Sequence, residues 1–233
     1  VRRLDAPSKV MGALRYAGDM VVPDMLHMQV LRSPHPHALI KSIDTADAEA
    51  IAGVEAVVTA ADISGDGEFG VFVHDQPTLA AGKVRYVGEA IAAVAAESET
   101  IAQEAVKAIK IEFEELPAVF DPKVAMAEGG AVLHDYAQDN VTYHVPIRKG
   151  DTEKGFADAD VIVEQDYDTQ PIEHAYLEPE AGLAYEEADG TITVHSPSQN
   201  ITHHRHALSR ILGMPINKVR MIMSPVGGGF GGK

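Results

Sequence analysis

Hydrophobic residues recur along the chain with two periods, one typical of strands and the other of helices. In the first half, runs with the length and character of strands lie at residues 26–32, 54–59, 90–96 and 110–115. Apolar residues between 100 and 109 lie on one helical face, and Ser98 stands where an N-cap is needed. The polar, turn-rich residues 1–23 predict an extended arm. The pattern therefore predicts an arm followed by a mixed α/β unit.

In the second half, the strongest local signal is a hairpin turn at Asp189 and Gly190. The runs on either side of it predict strands at residues 182–187 and 191–196. The other periodic segments predict a short helix at 151–158, a strand at 161–167, a helix at 201–212 and a strand at 219–224. Gly213 is typical of the residue that follows the C-terminus of a helix.

These elements form two groups, separated by residues 121–145, which lack strong periodicity and contain Pro, Gly and His. We expect the chain to divide here into a domain of residues 1–122, which includes the arm, and a second domain that starts at residue 123 and continues to 233. Strands and helices are mixed in both groups. The sequence therefore predicts an α+β fold, with a mixed α/β arrangement in each domain.

Composition narrows the possible functions. Hydrophobic residues make up 45% and charged residues 23% of the 233 residues, which is enough apolar material for a core. The absence of cysteine excludes disulfides, thiolate zinc sites, iron–sulfur ligation and cysteine nucleophiles within the chain. A net charge of −16 argues against a nucleic-acid partner, and no apolar run is long enough to span a membrane. We expect a cytoplasmic protein.

The charge is unevenly distributed along the chain. Residues 190–233 contain no Asp or Glu and carry five basic side chains, those of Arg205, Arg210, Lys218, Arg220 and Lys233. This segment ends in the glycine loop, residues 227–233, with five glycines in seven residues. Because glycines let backbone N–H groups approach a ligand, we expect an anion such as a phosphate here. The simpler interpretation is an acid-free segment that arises by chance in a two-sided fold.

The glycine loop matches two phosphate-binding patterns. Gly227, Gly229 and Gly232 fit the G-x-G-x-x-G dinucleotide fingerprint, and Gly227, Gly232 and Lys233 fit a P-loop up to its Ser or Thr. Loops of both kinds normally follow the first strand of their domain, whereas this loop follows the last predicted strand. The patterns alone are weak evidence. A P-loop protein truncated at its lysine stays open as an alternative function.

Six motifs in a fixed order give the glycine loop another context. They are RLDA with KVMG at residues 3–12, LRSPHPHA at 31–38, VRYVGE at 84–89, EHAYLEPE at 173–180, SPSQ at 196–199 and VGGGFGGK at 226–233. Together they resemble the molybdenum hydroxylases, the family of xanthine dehydrogenase and aldehyde oxidase, over the whole chain. The stretch EPEAGLA at 178–184 is most similar to bacterial purine or xanthine dehydrogenases.

The resemblance implies the N-terminal part of the family's molybdenum-cofactor-binding subunit, with a small hammerhead-like domain before the start of a molybdopterin-binding domain. It implies a molybdenum–pterin cofactor, either molybdopterin or its cytosine dinucleotide. The implied reaction oxidises a heterocycle such as xanthine or hypoxanthine, or an aldehyde, with water as the oxygen source. The implied partners are the remaining molybdopterin-binding polypeptide, a subunit with 2Fe–2S clusters and, in some members, an FAD subunit.

By the same resemblance, the cofactor contacts lie at Gln199 and, within the glycine loop, at Gly228, Gly229, Phe230 and Gly231. Gln199 and the backbone of Phe230 would lie at the metal's oxo ligand. The simpler interpretations make Gln199 a cap of the next helix and Phe230 a hydrophobic plug. The family's general-base glutamate lies beyond Lys233, so we expect no catalytic residue and no activity in this chain alone. A non-catalytic assembly subunit of the same fold is a further alternative.

The remaining candidates have structural interpretations. His174 and Glu178 have the spacing of two metal ligands on one helical face. Nearby prolines argue against a helix there, and two ligands are too few for a metal site. A buried, hydrogen-bonded His174 is therefore favoured. For the carboxylates of Glu89, Glu178 and Glu180 we expect structural pairing rather than catalysis.

Overall fold

In residues 3–233, which the computed structural model describes, the chain forms three small sheets, one two-stranded ribbon and six α-helices. The strands are β1 His27–Arg32, β2 Ala38–Asp44, β3 Val54–Thr59, β4 Glu68–Phe69, β5 Gln76–Pro77, β6 Lys83–Val84, β7 Ala90–Ala96, β8 Lys110–Glu115, β9 Leu183–Glu186, β10 Ile192–Ser196 and β11 Val219–Met223. The helices are α1 Ala6–Val10, α2 Ala46–Glu49, α3 Glu99–Ala108, α4 Pro122–Ala125, α5 Thr152–Ala157 and α6 Ile201–Ile211. The α+β class expected from the sequence is confirmed.

The first half of the chain is organised around β7, which lies between β1 and β3 in an antiparallel sheet. On one side, Ala92 and Val94 pack in a buried cluster with Ala105 and Ile109 at the end of α3. Small side chains let the helix approach the sheet closely, so that the interior is filled without bulky residues. The predicted helix and its cap are confirmed, because the Ser98 side chain accepts a hydrogen bond from the N–H of the third residue of α3.

The other side of β7 contributes Ile91 to a second cluster, with Ala38, Ala80 and Val84. These residues connect the first sheet to a second one with the strand order β6–β2–β8. Ile91 and Val84 are fully buried, and a side chain of this size stabilises the fold by about 1.5–3 kcal/mol when it is removed from water. β7 is therefore the shared core strand of the first half.

One expectation for the first half is wrong, and one strand was not predicted. Residues 6–10 form α1 instead of an extended arm, because Pro7 lies in the first turn, where its fixed φ favours a helix. Val1 and Arg2 of the predicted arm lie outside the described residues. The hydrophobic pattern does not predict β2, the central strand of the second sheet, because a register shift between Ile40 and Ser42 interrupts the alternation of buried and exposed residues.

The second half contains a sheet with the order β11–β10–β9. β9 and β10 form the predicted antiparallel hairpin, and Gly190 has the positive φ of +77° that its turn needs. β10 and β11 are parallel and are connected by α6, which packs on β11. The predicted end of α6 is confirmed by Gly213, with a φ of +63°. None of the helices in the described residues has the length and hydrophobicity needed to cross a membrane.

The strand predicted at residues 161–167 is wrong. The segment is irregular, and its hydrophobic side chains, such as Val161, Val163 and Tyr167, are 77–81% exposed. Alternation alone does not make a strand, because the backbone N–H and C=O groups need a neighbouring strand to pair with. No strand of residues 3–233 pairs with this segment. The short helix predicted just before it is confirmed as α5, capped by Asp151.

The two halves meet where the loop before β4 contacts the C-terminal end of α6. The N–H groups of Gly65 and Asp66 donate to the carbonyls of Ile211 and Arg210, at 3.0 and 2.8 Å. The Arg210 guanidinium also binds the Asp66 carboxylate and the ring of His74. A Cβ atom at Gly65 would lie 1.9 Å from the Arg210 carbonyl oxygen, so only glycine allows this approach.

Gly65→Ala should therefore weaken the contact between the halves. The backbone atoms that it would meet cannot move cheaply, and overpacking of this kind costs about 1–3 kcal/mol. We expect a lower melting temperature, by about 2–4 °C per kcal/mol, and faster proteolysis near residue 65. Gly67→Ala is the matched control, because nothing lies within 4 Å of a Cβ atom there. Equal melting temperatures for the two variants would contradict the prediction.

The Asp66–Arg210 ion pair should make this contact sensitive to acid. The hydrogen bond that the Asp66 carboxylate accepts from Arg210 lowers the pKa of Asp66 below the ordinary value of 3.8. A hydrogen bond from the N–H of Glu68 makes a smaller contribution in the same direction. A carboxylate with a lowered pKa stabilises the fold above its unfolded pKa, and this contribution is lost as the pH falls through the folded pKa. Asp66→Asn should therefore lower the melting temperature at pH 6, and the difference from wild type should shrink below pH 3.8. A pH-independent difference would refute it.

Candidate functional site at the glycine loop

The glycine loop follows β11 and is closed by a tight turn. The N–H of Gly232 donates to the carbonyl of Gly229 at 2.7 Å, and the two residues between them, Phe230 and Gly231, have φ angles of +51° and +97°. Positive φ at both central positions is typical of a type I′ turn. Glycine adopts this conformation freely, whereas an aromatic residue is an outlier there. Phe230 is therefore held in a strained backbone conformation.

Ala175 has a φ of +49°, and its neighbours His174 and Tyr176 both lie next to the loop. In the described residues, the other non-glycine positions with positive φ are Asp24 and Asn140, two residue types that tolerate this region. The two residue types that do not tolerate it both lie at the glycine loop. Such strain persists only where the surrounding structure fixes it, and it is concentrated at functional sites.

The outer glycines of the loop are required by residues of this chain. A Cβ atom at Gly227 would lie 2.5 Å from the Cβ of Glu178, and one at Gly232 would lie 2.6 Å from Cε1 of Tyr176. Both distances are shorter than real Cβ contacts. The expectation that all the glycines serve the approach of a ligand is therefore wrong for these two, which let the loop close on residues 176–178.

Lys233, at the end of the loop, is buried against Glu178. Its ammonium donates to the backbone carbonyl and to the carboxylate of Glu178, both at 2.9 Å, and lies 4.7 Å from the centre of the Tyr176 ring. The side chains of Lys233 and Glu178 are 1% and 7% exposed. A P-loop lysine has to reach a phosphate, whereas this ammonium is enclosed by protein. The P-loop interpretation is therefore not supported.

The amide of Gln199 lies beside the loop. Its Nε2 donates to the carbonyl of Lys233, and a Cβ atom at Gly229 would lie 3.1 Å from the same nitrogen. The cap of α6 is the next residue, Asn200, whose side chain accepts from the N–H of His203 at 3.1 Å. The interpretation of Gln199 as the helix cap is therefore wrong. It is 34 residues from Lys233 in sequence and contacts it through the fold.

The plug interpretation of Phe230 is also wrong, because this residue is 77% exposed. The backbone around it offers hydrogen-bond donors instead. The N–H groups of Gly228, Gly229, Phe230 and Gly231 donate to no atom of residues 3–233. Consecutive N–H groups without a protein acceptor are donors suited to an anion or an oxo group. The residues named from the sequence therefore lie together, but the donors are their backbone N–H groups.

The basic surplus of residues 190–233 is largely compensated inside the fold. Lys218, Arg220 and Lys233 bind carboxylates of Asp189, Glu187 and Glu178, and Arg210 binds Asp66. Arg205 donates to the carbonyls of Val219 and Ile216, at 2.6 and 2.7 Å. All five side chains have protein partners. The expectation of an anion site made by these charges is therefore not supported, and the unpaired donors of the loop are backbone groups.

The structural interpretation of the acidic residues agrees with the structure. Glu89 is 2% exposed and accepts from the N–H and the guanidinium of Arg85. Glu180 accepts a hydrogen bond from the Tyr176 hydroxyl at 2.5 Å, which raises the pKa of Tyr176. Sequence reasoning missed Tyr176 and the position of Lys233, because no local pattern connects residues 176–178 to the loop.

The expectation of a buried, hydrogen-bonded His174 is wrong. Its side chain is 43% exposed, and the carboxylate of its neighbour Glu173 lies 3.9 Å from the ring nitrogen Nδ1. It lies in an irregular segment and not on a helix, so the spacing to Glu178 has no helical meaning. Throughout residues 3–233, no three His, Asp or Glu side chains are grouped so that they could hold a metal ion.

The strain at Phe230 is testable by comparing two truncations. Phe230→Gly should give a more stable protein than Phe230→Ala, by about 0.5–1 kcal/mol, because relief of a left-handed conformation is worth about 1–2 kcal/mol and glycine's extra unfolded-state freedom returns part of it. The measurement is the free energy of unfolding. Phe156, 63% exposed on α5, is the control and should show the opposite order. The same order at both sites would contradict the strain at Phe230.

Comparison with known proteins places this chain in a family. The sequence profile described as "Aldehyde oxidase and xanthine dehydrogenase, a/b hammerhead domain" matches residues 11–117, and that of the "Molybdopterin cofactor-binding domain" matches residues 133–233. A probable xanthine dehydrogenase subunit of Bacillus subtilis is 42% identical over 99% of this chain and 31% of its own length. The nicotinate dehydrogenase large molybdopterin subunit of Eubacterium barkeri is 40% identical over 99% of this chain and 54% of its own length.

Comparison of the fold with solved structures indicates the same family. The aldehyde oxidoreductase from Desulfovibrio gigas superimposes with a TM-score of 0.87 at 33% identity, over 98% of this chain and 27% of that one. The chain thus spans between about a quarter and a half of the length of these proteins. It belongs to the xanthine dehydrogenase and aldehyde oxidase family of molybdenum hydroxylases, and it comprises the hammerhead domain and the start of the molybdopterin cofactor-binding domain.

Proposed function

We propose that this chain contributes the glycine loop and Gln199 to a molybdenum–pterin site, in an enzyme that oxidises a nitrogen heterocycle with water as the oxygen source. The observation that carries the proposal is the set of four unpaired backbone N–H groups, Gly228 to Gly231, at a strained turn beside the Gln199 amide. The domain division at residues 122 and 123 and a cytoplasmic location belong to the same proposal.

The donor set fits the chemistry of the cofactor. Oxo ligands and the pterin phosphate are hydrogen-bond acceptors, and backbone N–H groups with an amide are donors that add no charge. Gly228 and Gly231 have φ angles of +110° and +97°, so side chains are disfavoured where a cofactor would approach. Gln199 uses one amide hydrogen for the Lys233 carbonyl and has a second one to offer. Gln199, Gly228, Gly229, Phe230 and Gly231 are therefore the residues that would hold the cofactor.

When bound, the cofactor would supply the redox chemistry of the oxidation. The contribution of this chain is positioning and electrostatic. The fixed turn presents the Phe230 N–H to an acceptor without reorganisation, which is the condition under which such donors stabilise developing negative charge. No residue of this chain is proposed as the general base, which belongs to the remaining molybdopterin-binding polypeptide.

The names of the relatives favour a heterocyclic substrate. The two proteins at 42% and 40% identity are named for xanthine and nicotinate, whereas the aldehyde oxidoreductase of Megalodesulfovibrio gigas is 34% identical. Xanthine and nicotinate share an electron-poor ring carbon next to nitrogen. A purine such as xanthine or hypoxanthine is the proposed substrate class. Electron transfer would be carried by 2Fe–2S clusters and, where present, FAD on partner subunits.

The test is the native complex, purified through this chain. We expect near-stoichiometric molybdenum by elemental analysis, released pterin by fluorescence, and turnover of purines or nicotinate in preference to aldehydes. An intact complex without molybdenum would refute the proposal. It would favour the assembly-subunit alternative.

Gln199→Ala tests the residue assignment in the same complex. We expect activity to fall by about 10²- to 10³-fold, the loss typical of one transition-state donor. Gln138→Ala is the matched control, because the Gln138 amide also donates to a backbone carbonyl, that of Asp135 at 2.6 Å, but far from the loop in sequence. Full activity in Gln199→Ala, with molybdenum retained, would remove Gln199 from the site.

A further inference from the structure

Both ends of the glycine loop are bound to one carboxylate oxygen. Oε2 of Glu178 accepts from the N–H of Gly227 at 2.7 Å and from the ammonium of Lys233 at 2.9 Å. The Lys233 ammonium also donates to the Glu178 carbonyl at 2.9 Å. Glu178 lies 49 and 55 residues before its two partners in sequence. We call Glu178, Gly227 and Lys233 the loop clamp.

The charged side chains of the loop clamp are buried, so the ion pair has a large desolvation free energy and a well-defined geometry. Glu178 and Lys233 have side chains that are 7% and 1% exposed. The unfavourable desolvation free energy of a buried ion pair offsets much of the attraction between its charges. Such a pair therefore often gives no more stability than apolar residues of similar volume. What it does give is a fixed geometry, because a charged acceptor shared by two donors allows few arrangements. Stability alone therefore does not explain the loop clamp.

The strained turn at Phe230 explains why the ends of the loop are fixed so firmly. Phe230 lies between the two clamped ends and keeps a positive φ that its side chain disfavours. A strained conformation persists only when its surroundings over-determine it. The ends of a seven-residue loop fixed to one oxygen, and the hydrogen bond from Gly232 to Gly229, provide that constraint. Without this constraint we expect the turn to relax, which would move the N–H groups of Gly228 to Gly231 from the positions that they hold here.

We propose that Glu178 is a positioning residue of the molybdenum–pterin site. It acts through the backbone of the glycine loop and touches neither the cofactor nor the substrate. This inference depends on the proposed function, because it assigns to the loop clamp the task of keeping the cofactor's donors in place. Its consequence is that cofactor retention depends on Glu178 separately from the stability of the fold.

The experiment compares three variants of the complete, cofactor-loaded complex. Glu178→Gln removes the charge and keeps the size of the side chain. The double variant Glu178→Gln with Lys233→Met removes both charges, so that no unpaired ammonium remains buried. Glu89→Gln is the control, because it breaks the ion pair of a 2% exposed carboxylate with Arg85, in the first half of the chain. Each variant is measured for molybdenum content, for the first-order rate of pterin release and for melting temperature.

We expect pterin release to be about ten- to a hundredfold faster in Glu178→Gln, the range typical for residues that support the direct ligands of a metal site. The double variant should regain melting temperature, since no buried charge is left unpaired, and should still release pterin rapidly. Glu89→Gln should lose melting temperature and release pterin at the wild-type rate. If Glu178→Gln does not fold, the double variant alone carries the comparison.

Two results would overturn the inference while the proposed function stands. One is a wild-type release rate in Glu178→Gln or in the double variant. The other is a release rate that follows melting temperature across all three variants, which would make Glu178 a stabilising residue only. If the wild-type complex holds no molybdenum, the proposed function fails and this inference fails with it.

Discussion

The geometry of the site depends on one buried carboxylate. Glu178 fixes the start of the glycine loop through the Gly227 N–H and its end through the Lys233 ammonium. The outer glycines have no side chain because Glu178 and Tyr176 occupy that space. The strained turn at Phe230 lies between these fixed ends, and the N–H groups of Gly228 to Gly231 donate to no atom of residues 3–233. Removal of one partner of a buried ion pair leaves an uncompensated charge, so a single substitution at Glu178 or Lys233 is costly.

Charge pairing organises the second half of the chain more widely. The segment after Gly190 has basic residues without acids, and its carboxylate partners come from earlier parts of the sequence. Arg210 reaches Asp66 in the first half, and the backbone contact at Gly65 lies beside this ion pair. The uneven distribution of charge along the sequence therefore reflects ion pairs between distant segments of the fold. The glycine loop itself offers backbone N–H groups, which add no net charge.

The elements that could be predicted from the sequence are those that depend on interactions between neighbouring residues. The hairpin at Asp189 and Gly190, the cap at Ser98 and the end of α6 at Gly213 each depend on residues within a few positions of one another. Their elements could be predicted because turn and cap chemistry is local. The family could also be identified from the sequence, because six short motifs in a fixed order are specific even when each one alone is weak. The placing of Gln199 beside the glycine loop followed from that resemblance.

Only the tertiary structure decided which of these residues meet, and how. Residues 161–167 alternate as a strand does, yet they form none, because a strand exists only where another one pairs with it. Phe230 is exposed and Lys233 is buried, the reverse of their hydrophobic ranking, because the loop is anchored by a carboxylate 55 residues from its lysine. A contact across such a distance leaves no periodic trace in the sequence. It is decided by which segments the fold brings together, and the fold brings Glu178 to the loop.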